Sequence, residues 1–328
     1  MRTLGTLLAF ILTASLQILG QSAPSDFKLA LANHNGQLSW SADGFKIVQS
    51  SAKSNGHEIG IRGSDSSGHL FFLGFLFLFP EQAPMTSAKC RDGVIGPEKK
   101  DNKSLQVLNT AEITEPNALP VSVVDYTEGG DNGKISYMVR GFVASADICG
   151  DLEFYGDKPI HAADPNLRRV FAGFRLDPNY APHFEDVFLY AQMLYNSHKF
   201  AAAGPLFEEA LTKVQTAQGV DVKTMTRVLT DQAGMSYGIS GNTAEARSIL
   251  EQAAVSDPDY PMYYYNLACA DAQEHKLDDA RKHLQQAFDR KANMIHGESI
   301  PDPTQDDSFT PYRNNKQFWS FVESLGSK

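Results

Sequence analysis

From Asp26 to about Ile160 the apolar residues come in short runs separated by polar turns, the pattern of strands. Six strands are predicted, at 44–48, 57–62, 69–79, 104–108, 120–126 and 134–143. Asp131-Asn132-Gly133 falls between the last two and predicts a hairpin turn, because Asn-Gly accepts the positive backbone angles such turns need. The run Leu70 to Pro80 has eleven residues, too few to span a bilayer, so it predicts a strand at the sheet centre, buried on both faces. Helices are expected beside this sheet: one starting in 84–90, and one opening at Asp164 and Pro165, as N-cap and first-turn proline, and running to Phe174.

From about residue 180 the apolar spacing becomes helical. Between Arg227 and Arg290 the chain repeats itself every 34 residues: Ala246-x3-Leu250-x2-Ala253 falls onto Ala280-x3-Leu284-x2-Ala287, and Thr230, Ala233, Gly234 and Tyr237 fall onto Tyr264, Leu267, Ala268 and Asp271. Small residues recur where two helices must approach closely, and Gly241-Asn242 and His275-Lys276 mark the turns between them. A bundle without a true repeat has no reason to hold these offsets. An earlier unit, Val187-x2-Tyr190-Ala191 with Ala203-x3-Phe207-x2-Ala210, fits the same template, but Ala203 precedes Ala246 by 43 residues, which makes 213–222 an insertion at a helix end or turn. Past Ala292 a loop rich in Pro and Asp leads to an amphipathic segment, 315–325, with Phe318, Trp319, Val322 and Leu325 on one face, expected to cap the last repeat.

The period and its small and large positions resemble the tetratricopeptide repeat, despite Thr230 at the first bulky place and Asp271 at the place of the Tyr. That resemblance implies a helical solenoid that binds another polypeptide. Its concave groove would be lined by the first helix of each unit: Phe188, Gln192, Tyr195 and Asn196, then Val228, Asp231, Met235 and Ile239, then Met262, Tyr265, Cys269 and Gln273. Repeats that hold a C-terminal carboxylate use Lys, Asn and Arg at these places, and the apolar, aromatic lining here argues against that mode. More loosely, Gly44-Phe45 near the start of the sheet and Val170 to Pro178 at its end resemble domains of the PsbP/Mog1-like group, small α/β sandwiches that mostly assist the assembly of other proteins.

The organisation expected is therefore α+β: a signal peptide over 1–22, a mostly antiparallel β-sheet domain with flanking helices over 26–178, and an all-α tetratricopeptide-like domain over 180–328. Arg2, the apolar run from Leu4 to Leu19 and the small residues Gly20, Ser22 and Ala23 carry the signal-peptide reading, with a retained N-terminal membrane anchor as its alternative. Export, to a periplasm or a secretory medium, makes Cys90 and Cys149 the natural disulfide pair and leaves Cys269 a thiol. No CxxC or HxxxH spacing suggests a metal.

A net charge of -10 argues against nucleic acid or an anionic membrane as partner. Walker, GxGxxG, HExxH, GxSxG and CxxCH motifs are all missing from the sequence, and no cofactor is expected. Two functions stay in view. One is an exported non-enzymatic scaffold or adaptor that holds a protein or peptide segment in the repeat groove, in the assembly or upkeep of an envelope complex. The other is an enzyme whose site lies in the sheet domain near Cys90-Arg91-Asp92 and Arg140, with the repeats recruiting substrate.

Overall fold

The computed structural model describes residues 26–80, 83–130 and 133–326; the predicted signal peptide or anchor, and Asp131 and Asn132 of the predicted turn, lie outside them. The chain divides into two compact units between Asp186 and Val187. Among the described residues no helix is long and apolar enough to cross a membrane.

In the first unit a seven-stranded antiparallel sheet runs in the order β3-β4-β5-β9-β8-β7-β6. Its strands are β3 (Phe45–Ala52), β4 (Glu58–Asp65), β5 (Leu70–Leu78), β6 (Gln106–Ile113), β7 (Val121–Gly129), β8 (Ile135–Ser145) and β9 (Ile148–Gly156). A smaller sheet, β1 (Asp26–Ala30), β2 (Gln37–Ser41) and β10 (Arg175–Asp177), has the order β1-β2-β10. It packs against one face of the large sheet so closely that a Cβ on Gly74 would lie 2.5 Å from the Trp40 ring. On this side sit Phe27, Trp40, Phe72 and Phe154, with Phe171 of helix α2 (Pro165–Gly173) edge-on to Phe154. Asp164 does precede α2, but its carboxylate accepts the His161 N–H at 2.9 Å and makes no cap bond to the helix.

Helix α1 (Ser87–Asp101) lies across β7, β8 and β9 on the opposite face. The disulfide Cys90–Cys149 ties it there, with Cα atoms 5.9 Å apart. Because α1 stops at β9, the expectation that β5 is buried on both faces fails. Phe72, Gly74 and Leu76 are buried under the small sheet, whereas Phe71, Leu73 and Phe75 on the α1 side are only half-buried. Arg62 lies over that strip, 4.6 Å from the Phe71 ring centre. The centre of the sheet is β9, with β5 beside it. Both outer strands, β3 and β6, are exposed and carry a register shift, the irregularity that discourages edge-to-edge pairing.

The predicted turn joins β7 to β8: Gly133 has φ +74°, and its N–H donates to the Gly130 carbonyl at 2.9 Å.

In the second unit three helical hairpins follow one another. They are α3 (Phe184–Asn196) with α4 (Phe200–Val214), α5 (Val222–Ile239) with α6 (Thr243–Ser256), and α7 (Pro261–Gln273) with α8 (Leu277–Asp289). The small residues do what the repeat pattern requires. A Cβ on Gly234 would come within 2.9 Å of Leu250, and Ala246, Ala268, Ala280 and Ala287 are fully buried. The insertion ahead of the second hairpin is used twice. It lengthens α5 at its N-terminus, so that α5 has 18 residues against 13 in α7, and it adds to the loop after α4. A capping helix α9 (Lys316–Gly326) closes the end, burying Phe318, Val322 and Leu325 in the core of the last hairpin.

Candidate protein-binding groove

The first helices of the three hairpins are neighbours. The Tyr195 hydroxyl on α3 lies 3.9 Å from the Met235 sulfur on α5, and Asn266 on α7 donates to Asp231 on α5 at 2.6 Å. Along α3 and α5 the predicted lining is within reach of solvent: Phe188, Tyr195, Asn196, Val228, Asp231 and Met235 are half-buried and Ile239 is half-exposed. Phe188 and Tyr195 are set by their contact with Phe207 of α4, which holds both rings in place from beneath. Gln192 is buried, with its amide donating to Asn196 at 3.3 Å.

On α7 two residues of the predicted lining, Met262 and Tyr265, are covered, and Cys269 is half-buried. Tyr265 donates to Asp306 at 3.0 Å and packs edge-on against Phe309, and Met262 belongs to the same buried cluster. Cys269 sits 3.9 Å from Asp306, and burial pushes its thiol up, followed by the Asp306 charge. Gln273 at the helix end is exposed. The open lining therefore runs over α3 and α5 and ends at Asn266, because the last hairpin of a solenoid needs its apolar face covered and here the segment 306–318 supplies the cover.

The electrostatics of the groove centre on Asp231. Burial pushes its carboxyl up to about 7, the Glu298 charge pushes the same way, and the Asn266 amide opposes both. Glu298 itself accepts the Tyr260 hydroxyl at 2.9 Å and is raised by burial. Burial and then the Asp231 charge raise the Tyr195 hydroxyl. Asn266 and Glu298 were not singled out from the sequence. Asn266 was within reach of such a reading, since it follows Asp231 by 35 residues, one beyond the repeat period. Glu298 was not, since it lies in a loop outside the repeat.

In the sheet unit the residues named for catalysis are committed elsewhere. Cys90 is buried in the disulfide, and Arg91 reaches Asp92 at 2.7 Å and the Ser122 hydroxyl at 2.9 Å. Arg140 is buried beneath α1 and holds three carboxylates: Asp151 at 2.6 Å, Glu98 at 3.0 Å and Glu153 at 3.4 Å. Burial raises both acids of β9, Glu153 to about 7, against the pull of Arg140. This is an ion cluster that fastens α1 to β8 and β9. Among the described residues no group of His, Cys, Asp and Glu is arranged to hold a metal.

These two units define a protein with an antiparallel sheet domain followed by a tetratricopeptide-like array. Among solved structures, the helical part is similar to the Sgt2 TPR domain from Aspergillus fumigatus, at 14% identity over 44% of this chain and 79% of that one, with a TM-score of 0.31. PcrH from Pseudomonas aeruginosa matches at 13% identity over 44% and 89%, with a TM-score of 0.30. Cyanobacterial PsbP from Synechocystis sp. PCC 6803 matches at 10% identity over 48% of this chain and 96% of its own, with a TM-score of 0.35. No family model matches the sequence, and no curated protein matches it. At these scores the repeat assignment rests on the helices and their period.

Proposed function

We propose that the chain is an exported, non-enzymatic scaffold whose groove over α3 and α5 holds a segment of a partner protein, in the assembly or upkeep of an envelope complex. One observation carries this reading. Phe188, Tyr195, Met235 and Ile239 form an apolar and aromatic row on the first helices that the interior leaves partly open. Aromatic and Met side chains in a supported, half-buried row are the anchors from which binding surfaces draw most of their energy. Export is supported by the Cys90–Cys149 disulfide, a bond that persists in oxidising compartments. The sheet unit serves on this reading as a second docking module.

The test is Tyr195→Ala with Met235→Ala. Partner capture is expected to fall by about tenfold or more, while the melting temperature stays within a few degrees of wild type. Capture that survives the pair of changes but is lost on altering the sheet unit would move the function to that unit.

A further inference from the structure

Asp231 stands where all three first helices converge. Tyr195 reaches its surroundings from α3, Met235 lies one turn along on α5, Asn266 donates from α7, and Glu298 adds its charge from the loop beyond α8. Two other carboxylates of this unit that are withdrawn from solvent each hold an arginine: half-buried Asp257 binds Arg227 at 2.6 Å, and buried Asp271 binds Arg247 at 2.7 Å. Among the described residues Asp231 has no cation within ion-pair distance, and its one hydrogen-bond donor is a neutral amide. An ionised carboxylate half-withdrawn from water is costly without a counter-charge. Arg227, whose charge acts on Glu298, is itself paired with Asp257 and lies over the Tyr260 ring. What the groove lacks at its middle is a positive group, beside an aromatic ring and a thioether suited to an aliphatic stem.

Resting on the partner-binding reading above, we propose that the groove recognises a peptide segment in which one Lys or Arg is flanked by apolar residues, the cationic head seated at Asp231 within reach of Glu298 and its stem laid along Tyr195 and Met235. This assigns the occupant by charge complementarity and excludes an acidic segment or a C-terminal carboxylate, which would place a second negative charge against Asp231 and Glu298.

The experiment is selection of random twelve-residue peptides displayed on phage against the intact, oxidised protein. The selected sequences are then synthesised in pairs, one with its basic residue and one with norleucine in its place, and titrated against wild type, Asp231→Asn and Glu298→Gln. The expected result is enrichment of Lys or Arg between apolar positions, and a loss of affinity of about 30-fold or more on Asp231→Asn. The norleucine peptides should bind wild type and Asp231→Asn alike. Should Asp231→Asn not fold, the Lys-to-norleucine difference on wild type, and its shrinkage in high salt, carry the same test. Peptides selected for apolar residues alone, lost on Tyr195→Ala but indifferent to Asp231→Asn, would overturn this inference and leave the groove reading standing. Selection of no peptide that competes at the groove would overturn both.

Discussion

Removing the disulfide tests how α1 is held. Helix α1 is a poor helix on its own: its sequence carries Gly93, Gly96 and Pro97, and it buries only Ser87, Cys90 and Ile95. Two interior glycines and a proline cost about 5 kcal/mol relative to alanine in a helix. Such a segment depends on being fastened, by Cys90 to Cys149 near its start and by Glu98 to Arg140 near its end. The disulfide spans 59 residues of sequence, and closing a loop of that length removes unfolded-chain entropy worth about 4 kcal/mol at 25 °C. Against a typical domain stability of about 5 to 15 kcal/mol this is a large share. Cys90→Ala with Cys149→Ala, followed by urea unfolding of the sheet unit's transition, is expected to show a loss of about 4 kcal/mol. Hydrogen exchange should quicken first over 87–101. A loss under about 1 kcal/mol would refute the reasoning, as would three free thiols in the denatured, unreduced protein, where one is expected.

Arg140→Met should destabilise by about 3 to 5 kcal/mol, because it leaves Asp151 and Glu153 buried without a cation, and chemical unfolding would measure it. Asp231 binds its proton more tightly when folded, its carboxyl raised to about 7 from 3.8, so it weakens the fold progressively as pH rises between those values. Asp231→Asn should therefore melt like wild type near pH 4 and above it at pH 8, by about 2 to 4 kcal/mol in stability, and a gap that does not widen with pH would contradict the assignment. Ala280→Leu should cost about 1 to 3 kcal/mol by overfilling the contact within the last hairpin, and a melting temperature no lower than that of Asp279→Leu would show the register to be wrong.

The repeat array was legible because its physics is periodic: the same small residues at the same offsets report the same close contact, and Ala246, Ala268 and Ala280 are buried where the period places them. The sheet was legible only in part. Strand β9 escaped notice because Cys149, Asp151 and Glu153 interrupt its apolar pattern, and those residues are set by the disulfide and by Arg140, long-range partners that no local pattern announces. Strands β1, β2 and β10 are short pieces of three to five residues, and the last follows a helix. On the first helices, the register put Tyr195, Asp231 and Met235 on neighbouring elements, where the Tyr195 hydroxyl lies near the Met235 sulfur. It offered no means of knowing that the chain returns past residue 300 to cover Tyr265, since that contact joins positions 41 apart in sequence.

The most direct test of the binding surface is site-specific photocrosslinking in intact cells, with a benzophenone amino acid placed in turn at 188, 235, 47 and 255. Ile47 on the exposed outer strand and Val255, 83% exposed on α6, serve as the contrasting positions. The account predicts one discrete adduct from 188 and from 235, with the same partner in both, and none from 255. An adduct that forms from 47 but from neither groove position would contradict it, and would assign binding to the sheet unit.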